Sequence, residues 1–124
     1  AERYATDTPV EAGDVVMLGG IEEITKCEEA VSDAVFGVVS SSPAYLMNAE
    51  AGNNDTHPAI ALTGRVPVKV RGTGKAGDRI VSAGSGEARV AAEDEATTFN
   101  TLGRLIKDKY NEETALTECV IGVK

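Results

Sequence analysis

The chain has 124 residues, of which 42% are hydrophobic but only 4% are aromatic, and its formal net charge is -8. This length suits one domain, residues 1–124, and a core without tryptophan favours thin, β-rich packing over a large ligand cavity. The negative charge argues against nucleic acid and anionic membranes as partners. No run approaches the ~18 to 20 apolar residues of a membrane-spanning helix, and residues 1–7 lack the apolar core of a signal peptide. We therefore expect a soluble chain without a targeting signal.

The first predicted element is a hairpin. Gly13 and Asp14 are typical of a tight turn, because glycine accepts a positive φ and aspartate bonds to nearby backbone amides. Residues 15–18 follow as an apolar strand, a Gly-Gly pair closes it, and residues 21–27 return. These signals predict an antiparallel pair of strands.

The same order of turn, strand, glycine-rich turn and strand returns in residues 75–90, which contain Gly77 and Asp78. The apolar run around Gly37 is likewise matched by residues 102–106. The matched positions lie about 64 to 66 residues apart, a spacing that favours two halves of one domain over a solenoid. Chance recurrence is the alternative, because an Ala-Gly-Asp turn is common before a strand.

This recurrence defines the predicted fold. We predict pseudo-repeat halves at about residues 10–70 and 71–124 of a single domain. The fold class is mainly β, a small barrel or β-clip-like sandwich of two pseudo-repeated hairpin units with little helix.

Residues 45–58, within the first predicted half, are rich in turn formers and predict an exposed loop. After Gly64 the hydrophobicity alternates, which places the three valines of residues 66–71 on one face of a strand. Pro67 lies on the other face and cannot donate a ladder hydrogen bond. We therefore expect this strand at a sheet edge or at an interface bulge.

The C-terminal third is less regular. Residues 91–101 are compatible with a short helix or with an extended acidic loop, residues 108–118 predict a polar connection, and residues 119–123 predict a closing strand. Cys27 and Cys119 lack the spacing of a metal or redox motif. Two free or buried thiols, or one disulfide joining the ends of the domain, are the alternatives.

Five segments carry chemically suggestive side chains, and none of them completes a site. The single histidine, His57, has no predicted nucleophile or orienting acid beside it, and the serines at 40–42 lack a Gly-x-Ser-x-Gly elbow. Residues 53–55 lack the acidic spacing of a calcium loop, residues 72–75 predict a hairpin turn rather than a phosphate loop, and the acidic residues 93–95 favour a solvated face. We predict no cofactor, no metal and no catalytic set.

The chain contains the runs Gly37-Val-Val-Ser-Ser-Ser-Pro-Ala-Tyr-Leu-Met-Asn48 and Gly77-Asp-Arg-Ile-Val-Ser-Ala-Gly84. Together with residues 1–4, 11–14 and 62–72, these runs resemble the C-terminal domain of tailed-phage fibre and appendage structural proteins, including those of phages of marine cyanobacteria. The resemblance covers residues 1 to about 90 and lies in structural rather than catalytic motifs. It implies a β-rich assembly domain of the virion.

In part of that family the domain is an intramolecular chaperone that helps the preceding fibre trimerise and then cuts itself free. The family's cut lies at an Asp-Ser pair shortly before a glutamate. Glu2 matches that glutamate and is a weak catalytic candidate, whereas the Asp-Ser pair is absent from this chain. Three functions stay open: a noncatalytic fibre or appendage domain, a complete capsid decoration or extracellular filament subunit, and an autoprotease domain after self-cleavage.

Self-association is expected on physical grounds as well. A small domain poor in aromatics gains by burying an edge strand and the loop residues Tyr45, Leu46 and Met47 against copies of itself, and these three residues are the candidate subunit interface. The resemblance implies a homotrimer, other virion proteins as partners, and assembly into the virion in the host cytoplasm. A glycan receptor is a further hypothesis for a fibre tip. The residues predicted to shape turns and strands are Gly13, Asp14, Gly37, Pro43, Gly64, Pro67, Gly77 and Asp78.

Overall fold

Strands account for the regular structure of the residues that the computed structural model describes, 1–41 and 49–124, and no helix occurs among them. The first five strands are β1 (Glu2–Arg3), β2 (Val15–Leu18), β3 (Ile24–Lys26), β4 (Val35–Val39) and β5 (Ala59–Ala61). The second five are β6 (Gly64–Arg71), β7 (Arg79–Gly84), β8 (Glu87–Val90), β9 (Gly103–Leu105) and β10 (Ala115–Ile121). Within these described ranges no helix is long and apolar enough to cross a membrane.

Each group of five strands forms its own sheet. Strands β1 to β5 pair in the order β1-β5-β4-β2-β3, and strands β6 to β10 close into a barrel in the order β10-β6-β8-β7-β9. We call these groups the first unit and the second unit. The hairpins β2–β3 and β7–β8 are both antiparallel. The predicted fold class, mainly β with a small barrel and two repeated hairpins, is confirmed.

The two units repeat one another pair by pair. Replacing each strand of the first unit by the strand five places later gives the order β6-β10-β9-β7-β8. This is the order of the closed barrel when its ring is read from β6 through β10. The hairpin register is also shared, because Val16 faces Lys26 in β2–β3 and the residues 64 positions later face each other in β7–β8. The barrel closes where β6 runs parallel to β8, and the first unit has the counterpart in a single parallel bridge between Thr6 and Ile24. The first unit is thus a less completely closed copy of the second.

A matched turn opens the hairpin of each unit. Gly13 and Gly77 have φ angles of 91° and 92°, in the left-handed region that glycine adopts without strain. The amide of the next residue, Asp14 or Asp78, donates to the carbonyl three residues earlier at 3.0 Å in both turns. The aspartate carboxylate accepts the amide of that earlier residue, at 2.8 Å and 2.9 Å. Both turns are therefore closed by the same two aspartate hydrogen bonds.

Two glycines let neighbouring strands approach closely. A Cβ at Gly37 in β4 would lie 2.5 Å from the carbonyl oxygen of Ala61, and a Cβ at Gly103 in β9 would lie 2.1 Å from that of Val120. A side chain at either position would collide with backbone that has no room to move, so only glycine fits. The requirement falls at matched positions of the two units.

Strand β6 differs from its prediction in two respects. The sheets divide between Ala61 and Gly64, so β6 belongs wholly to the second unit, whereas the predicted halves divide near residue 70. The strand is also not at an edge, because it pairs with β10 on one side and with β8 on the other. Pro67 is tolerated because β8 is in register only with Val70 and Arg71, which leaves no ladder bond for the proline nitrogen to donate.

Two other segments also differ from their predictions. Strand β10 begins at Ala115, earlier than the predicted closing strand at 119–123, because the polar and exposed side chains at its start hide the strand pattern. Residues 72–75 are not a hairpin turn, since β6 and β7 do not pair. Gly74 instead forms a bridge with Lys109, which ties the β6–β7 connection to the segment before β10.

One hydrophobic core joins the two units. Val15, Cys27 and Val38 of the first unit are fully buried and pack with the side chains of the barrel. The barrel contributes Val66, Val68, Val70, Ile80, Ala88, Leu102, Leu105, Cys119 and Ile121. A smaller cluster of Val16, Ile24, Val39 and Ile60 fills the first unit. Separating the units would therefore expose apolar surface of both.

We expect the two units to unfold in a single transition because they share this core. The Val15→Ala variant leaves a cavity at their junction and is expected to lower the free energy of unfolding by about 2 kcal/mol without splitting the transition. Calorimetry and urea unfolding measure both quantities. The control is Leu116→Ala, a change at an exposed side chain with an expected effect within about 0.5 kcal/mol. Two resolved transitions in the wild type would contradict a shared core.

Candidate assembly site at the unit junction and the groove

The tip of the β7–β8 hairpin, residues 82–86, lies across the open end of the β2–β3 hairpin. The Gly86 carbonyl accepts the Val15 amide at 2.7 Å, and the Gly86 amide donates to the Cys27 carbonyl at 2.8 Å. Two backbone groups at the end of a two-stranded pair thereby gain partners that the pair itself cannot supply. Backbone hydrogen bonds, as well as the core, join the units.

A second row of hydrogen bonds fixes the other side of the tip. The Ser82 carbonyl accepts the Val31 amide at 2.8 Å, and the Ser82 hydroxyl accepts the Ser32 amide at 2.8 Å. Ala30 and Ala83 form an antiparallel bridge beside them. Val31 has a φ of 54°, which is rare for a β-branched residue, and it holds this conformation where its amide meets the tip.

The junction requires a tip of small residues. Gly86 has a φ of 74°, and a Cβ there would lie 3.0 Å from both Asp14 Oδ1 and Lys26 Cγ. The tip sequence Ser-Ala-Gly-Ser-Gly carries no larger side chain. Its backbone can therefore approach the first unit closely enough to bond.

A buried ion pair lies beside the docked tip. The Asp14 side chain is 1% exposed and accepts a 2.7 Å hydrogen bond from Lys69 Nζ, which ties the first turn to β6. Glu11 also accepts a hydrogen bond from Lys69, and Lys26 Nζ lies 4.0 Å from Asp14. Burial alone lowers the pKa of Lys69, but its hydrogen bonds to Asp14 and Glu11 outweigh burial and raise the pKa above its ordinary value. The hydrogen bond from Lys69 in turn lowers the pKa of Glu11.

An open groove of about 660 Å³ lies at the open end of the β7–β8 hairpin. Arg79 and Ala91 stand side by side there, joined by a 2.9 Å hydrogen bond from the Ala91 amide to the Arg79 carbonyl. The lining residues are Gly77, Asp78, Arg79, Val90, Ala91, Ala92, Glu93, Asp94, Ala96, Thr97, Thr98, Thr101 and Lys124. Phe99 and Val123, each next in sequence to a lining residue, are exposed.

One ion pair holds the wall that residues 91–101 form. The Glu95 carboxylate accepts bonds of 2.7 Å and 2.8 Å from the Arg89 guanidinium and one of 2.9 Å from the Ala92 amide. The bonds from Arg89, followed by that from Ala92, lower the pKa of Glu95 to about 2. The buried Asn100 donates to the Glu95 carbonyl at 3.0 Å. This segment is a loop rather than a short helix, but it is built on turns and is not extended as the second alternative predicted.

The loop residues considered for chemistry make structural contacts. His57 Nδ1 lies 3.0 Å from the Thr56 hydroxyl, and the His57 amide donates to the Asn53 carbonyl at 2.7 Å. Asn53 Oδ1 accepts the amides of Asp55 and Thr56 at 2.9 Å and 3.0 Å, so this side chain closes its own loop. Across residues 1–41 and 49–124, no cluster of three or more His, Cys, Asp or Glu side chains could hold a metal ion.

Glu2, the weak catalytic candidate, lies in β1 opposite Ile60. Burial, and then the charge and hydrogen bond of Glu2, raise the pKa of Tyr4. Glu2 therefore contacts a neighbouring tyrosine of its own unit. The predicted structural residue Pro43 and the candidate interface residues Tyr45, Leu46 and Met47 lie outside the described residues.

Both cysteines are buried free thiols, the first of the two alternatives. Cys27 Sγ lies 3.4 Å from the Glu29 carbonyl, and Cys119 Sγ lies 3.3 Å from the Thr117 carbonyl. Burial, with a smaller contribution from Glu118, raises the pKa of Cys119 to about 12. The reactive thiolate form of Cys119 is therefore suppressed at neutral pH.

Sequence reasoning missed the residues that make the junction and the groove. Gly86 lies in a predicted turn, but turn composition does not tell whether a tip is docked or free. Lys69 is predicted on the outer face of its strand, and spacing alone does not reveal that Asp14 is its partner. The repeat contains the missing signal, because aligning the units places Gly86 opposite Glu22 and so marks where their tips differ.

The chain matches no protein-family model, and no significant match was found among curated protein sequences. Among solved structures, it is similar to the crystal structure of the C-terminal fragment of bacteriophage phi29 gene product 12. The two chains are 16% identical, the match covers 100% of this chain and 99% of that chain, and the TM-score is 0.65. At this identity the likeness shows a shared fold, and it extends over nearly the full length of both chains.

The Lys69→Met variant tests the buried pair. It leaves Asp14 without its nearest cation and is expected to lower the free energy of unfolding by about 3 kcal/mol. Arg65→Met, in the same strand, removes the exposed pair with Glu118 and is the matched control, with an expected loss of at most about 1 kcal/mol. Urea unfolding at neutral pH measures both. Equal losses would contradict the special role of the buried pair.

The Arg89–Glu95 pair is expected to stabilise the fold at neutral pH and to lose this contribution in acid. Because the folded-state pKa of Glu95 is lowered from 4.5 to about 2, its ionised form stabilises the fold above pH 4.5, and this contribution is lost as the pH falls through about 2. Wild type and Glu95→Gln are therefore expected to differ by a constant free energy of unfolding near neutral pH. The difference shrinks as the pH falls from 4.5 toward 2.

Urea unfolding at a series of pH values measures this difference. The control is Glu93→Gln, which removes an exposed carboxylate of the same loop without removing the pair to Arg89. A Glu95→Gln difference that stays constant down to about pH 2 would contradict the assignment.

Proposed function

We propose that this chain is a noncatalytic structural domain of a tailed phage, part of a fibre or appendage of the tail or head, which self-associates as a trimer. The observation that carries the proposal is the fold shared with the phage phi29 gene product 12 fragment across both chains. The sequence resemblance to phage fibre and appendage C-terminal domains, which covers residues 1 to about 90, supports the same class from a different direction.

A structural role agrees with the way the described charged side chains are used. Lys69 links the first turn to β6, and Arg89 holds the wall of the groove. The buried Lys109 donates to the carbonyls of Gly72 and Glu113 at 2.6 Å and thereby fixes the connections at one end of the barrel. Each of these contacts stabilises the fold, and none presents a reactive group to a substrate.

The surface carries apolar side chains, several of which a partner would cover. Large hydrophobic residues are exposed at Leu18, Ile21, Phe99, Tyr110, Leu116 and Val123. Removing apolar surface from water stabilises an assembly by roughly 25 cal/mol per Å². A further contact between copies is proposed at Tyr45, Leu46 and Met47. A complete capsid decoration or filament subunit would use self-association in the same way and would differ in its genetic context.

Light scattering at several concentrations tests the proposal. We expect a mass three times that of one chain, unchanged from about 100 μM down to about 1 μM, because a structural trimer must persist on dilution. The same chain in concentrated urea supplies the single-chain mass as a control. A folded chain that is monomeric at every concentration would contradict self-association.

A further inference from the structure

The docked tip has a counterpart in the first unit. Residues 18–22 form the tip of the β2–β3 hairpin, 64 positions before residues 82–86, and the paired residues Leu18–Ile24 and Ser82–Ala88 enclose the same number of residues. The second tip is small and docked, whereas the first exposes Leu18 and Ile21, which are 52% and 91% accessible. The Ile21 amide donates to Asp7 Oδ2 at 2.8 Å, which fixes the tip to its own unit. The first unit thus presents an apolar tip to solvent.

The groove is the counterpart of the surface that receives the docked tip. Its lining residues 77–79 and 90–94 stand 64 positions after residues 13–15 and 26–30. Those earlier residues include the partners of the second tip, namely the Val15 amide, the Cys27 carbonyl and the Ala30 bridge. Repetition of the fold therefore creates a second receiving surface, which is open in the second unit.

We propose that the first-unit tip of one copy docks in the second-unit groove of another copy. Each contact between copies then joins the counterparts of the two surfaces that meet inside every chain, with larger side chains at the tip. The inference rests on the proposed self-association and names the two surfaces that meet. Because tip and groove are different surfaces, the contact is heterologous and either closes into a ring or continues as an open stack. A ring of three such contacts forms a trimer.

At one pair of corresponding positions, the contact between copies gains two charges of opposite sign. Gly86 of the docked tip corresponds to Glu22, and Val15 of the receiving hairpin corresponds to Arg79. A neutral pair of positions within the chain thus becomes an acid and a base between copies. Arg79 is exposed, and it takes part in none of the ion pairs formed within residues 1–41 and 49–124. Arg79 and Lys124 are therefore the cations of the groove available to the Glu22 carboxylate, and they lie among the lining carboxylates of Asp78, Glu93 and Asp94.

The groove also has more room for a side chain, and we call the two exposed apolar residues next in sequence to its lining, Phe99 and Val123, its rim. Lys26, which crowds the docked glycine, corresponds to the shorter Val90. Phe99 and Val123 are 73% and 40% accessible, and each is next in sequence to a lining residue. Burying these side chains against Leu18 and Ile21 removes four exposed hydrophobic residues from water in one contact. The second tip has no large side chain, so its contact with the first unit buries no comparable apolar side chain of the tip.

Two variants separate the tip from the groove. Ile21→Asp places a charge on the tip, and Phe99→Asp places a charge on the groove rim; both side chains are exposed, so circular dichroism is expected to stay that of the wild type. Each variant alone is expected to have the mass of a single chain by light scattering. An equimolar mixture is expected to have twice that mass, because one intact tip meets one intact groove and no further contact forms. Leu116→Asp, an exposed apolar position outside both surfaces, is the control and keeps the wild-type mass.

Cysteine pairing provides a second measurement that does not depend on losing a contact. An oxidised mixture of Ile21→Cys and Phe99→Cys is expected to give a covalent dimer of one chain of each kind, whereas each variant alone gives none. The native thiols are buried and do not compete.

The outcomes distinguish this inference from the proposed function. A wild type that is monomeric at every concentration overturns both. A wild-type oligomer that survives Ile21→Asp and Phe99→Asp, or a mixture of those variants that stays monomeric, overturns the tip-and-groove contact alone. In that case loss of the oligomer on Tyr45→Asp assigns the interface to the loop instead.

Discussion

The backbone of Gly86 connects the two units, and much of the rest of the structure depends on that connection. At the open end of a two-stranded pair the next ladder partner is missing, and a buried orphan group costs about 1–3 kcal/mol. Gly86 provides both an acceptor for Val15 and a donor for Cys27. The same close approach brings these two residues against the side chains of the barrel. Hydrogen bonding and apolar burial therefore reinforce each other at one place.

The two Gly-Asp turns have the same geometry but different surroundings, and this difference leaves one of their two aspartates buried. Asp14 and Asp78 close the same turn with the same hydrogen bonds, but only Asp14 is fully buried. The difference comes from the docked tip and from Lys69, which approaches Asp14 from the second unit. A buried carboxylate is tolerated only with a partner, and a strand of the other unit supplies it. The ion pair thus makes the arrangement of the two units specific.

Duplication gives this fold a tip and a groove in each unit, but one chain can join only one tip to one groove. The second tip docks on the first unit, which leaves an apolar tip at Leu18 and Ile21 and an open groove beside Arg79. In repeat proteins stacked units bury such surfaces against their neighbours, and the terminal units stay exposed unless they are capped. The proposed self-association between copies would bury them in the same way in a chain of two units. This reasoning connects the proposed assembly function to the fold itself.

Much of the architecture could be predicted from the sequence because it depends on local chemistry. The paired Gly-Asp turns, the alternation of valines in β6 and the recurrence at about 64 residues predict a mainly β fold with two similar hairpins. The placement of β6 at a sheet edge and the start of β10 were predicted wrongly, because a strand's neighbours are not visible in its own residues. The loop residues proposed for an interface lie outside the described residues, so their role stays a prediction.

The sequence by itself therefore determined the two repeated hairpins and their Gly-Asp turns, since each follows from the φ preferences and hydrophobic period of a few neighbouring residues. Only the tertiary structure decided that Gly86 is docked while Glu22 is free, and that Asp14 finds Lys69. These pairings join residues more than 50 positions apart. They follow from how the two units pack, which no local pattern specifies.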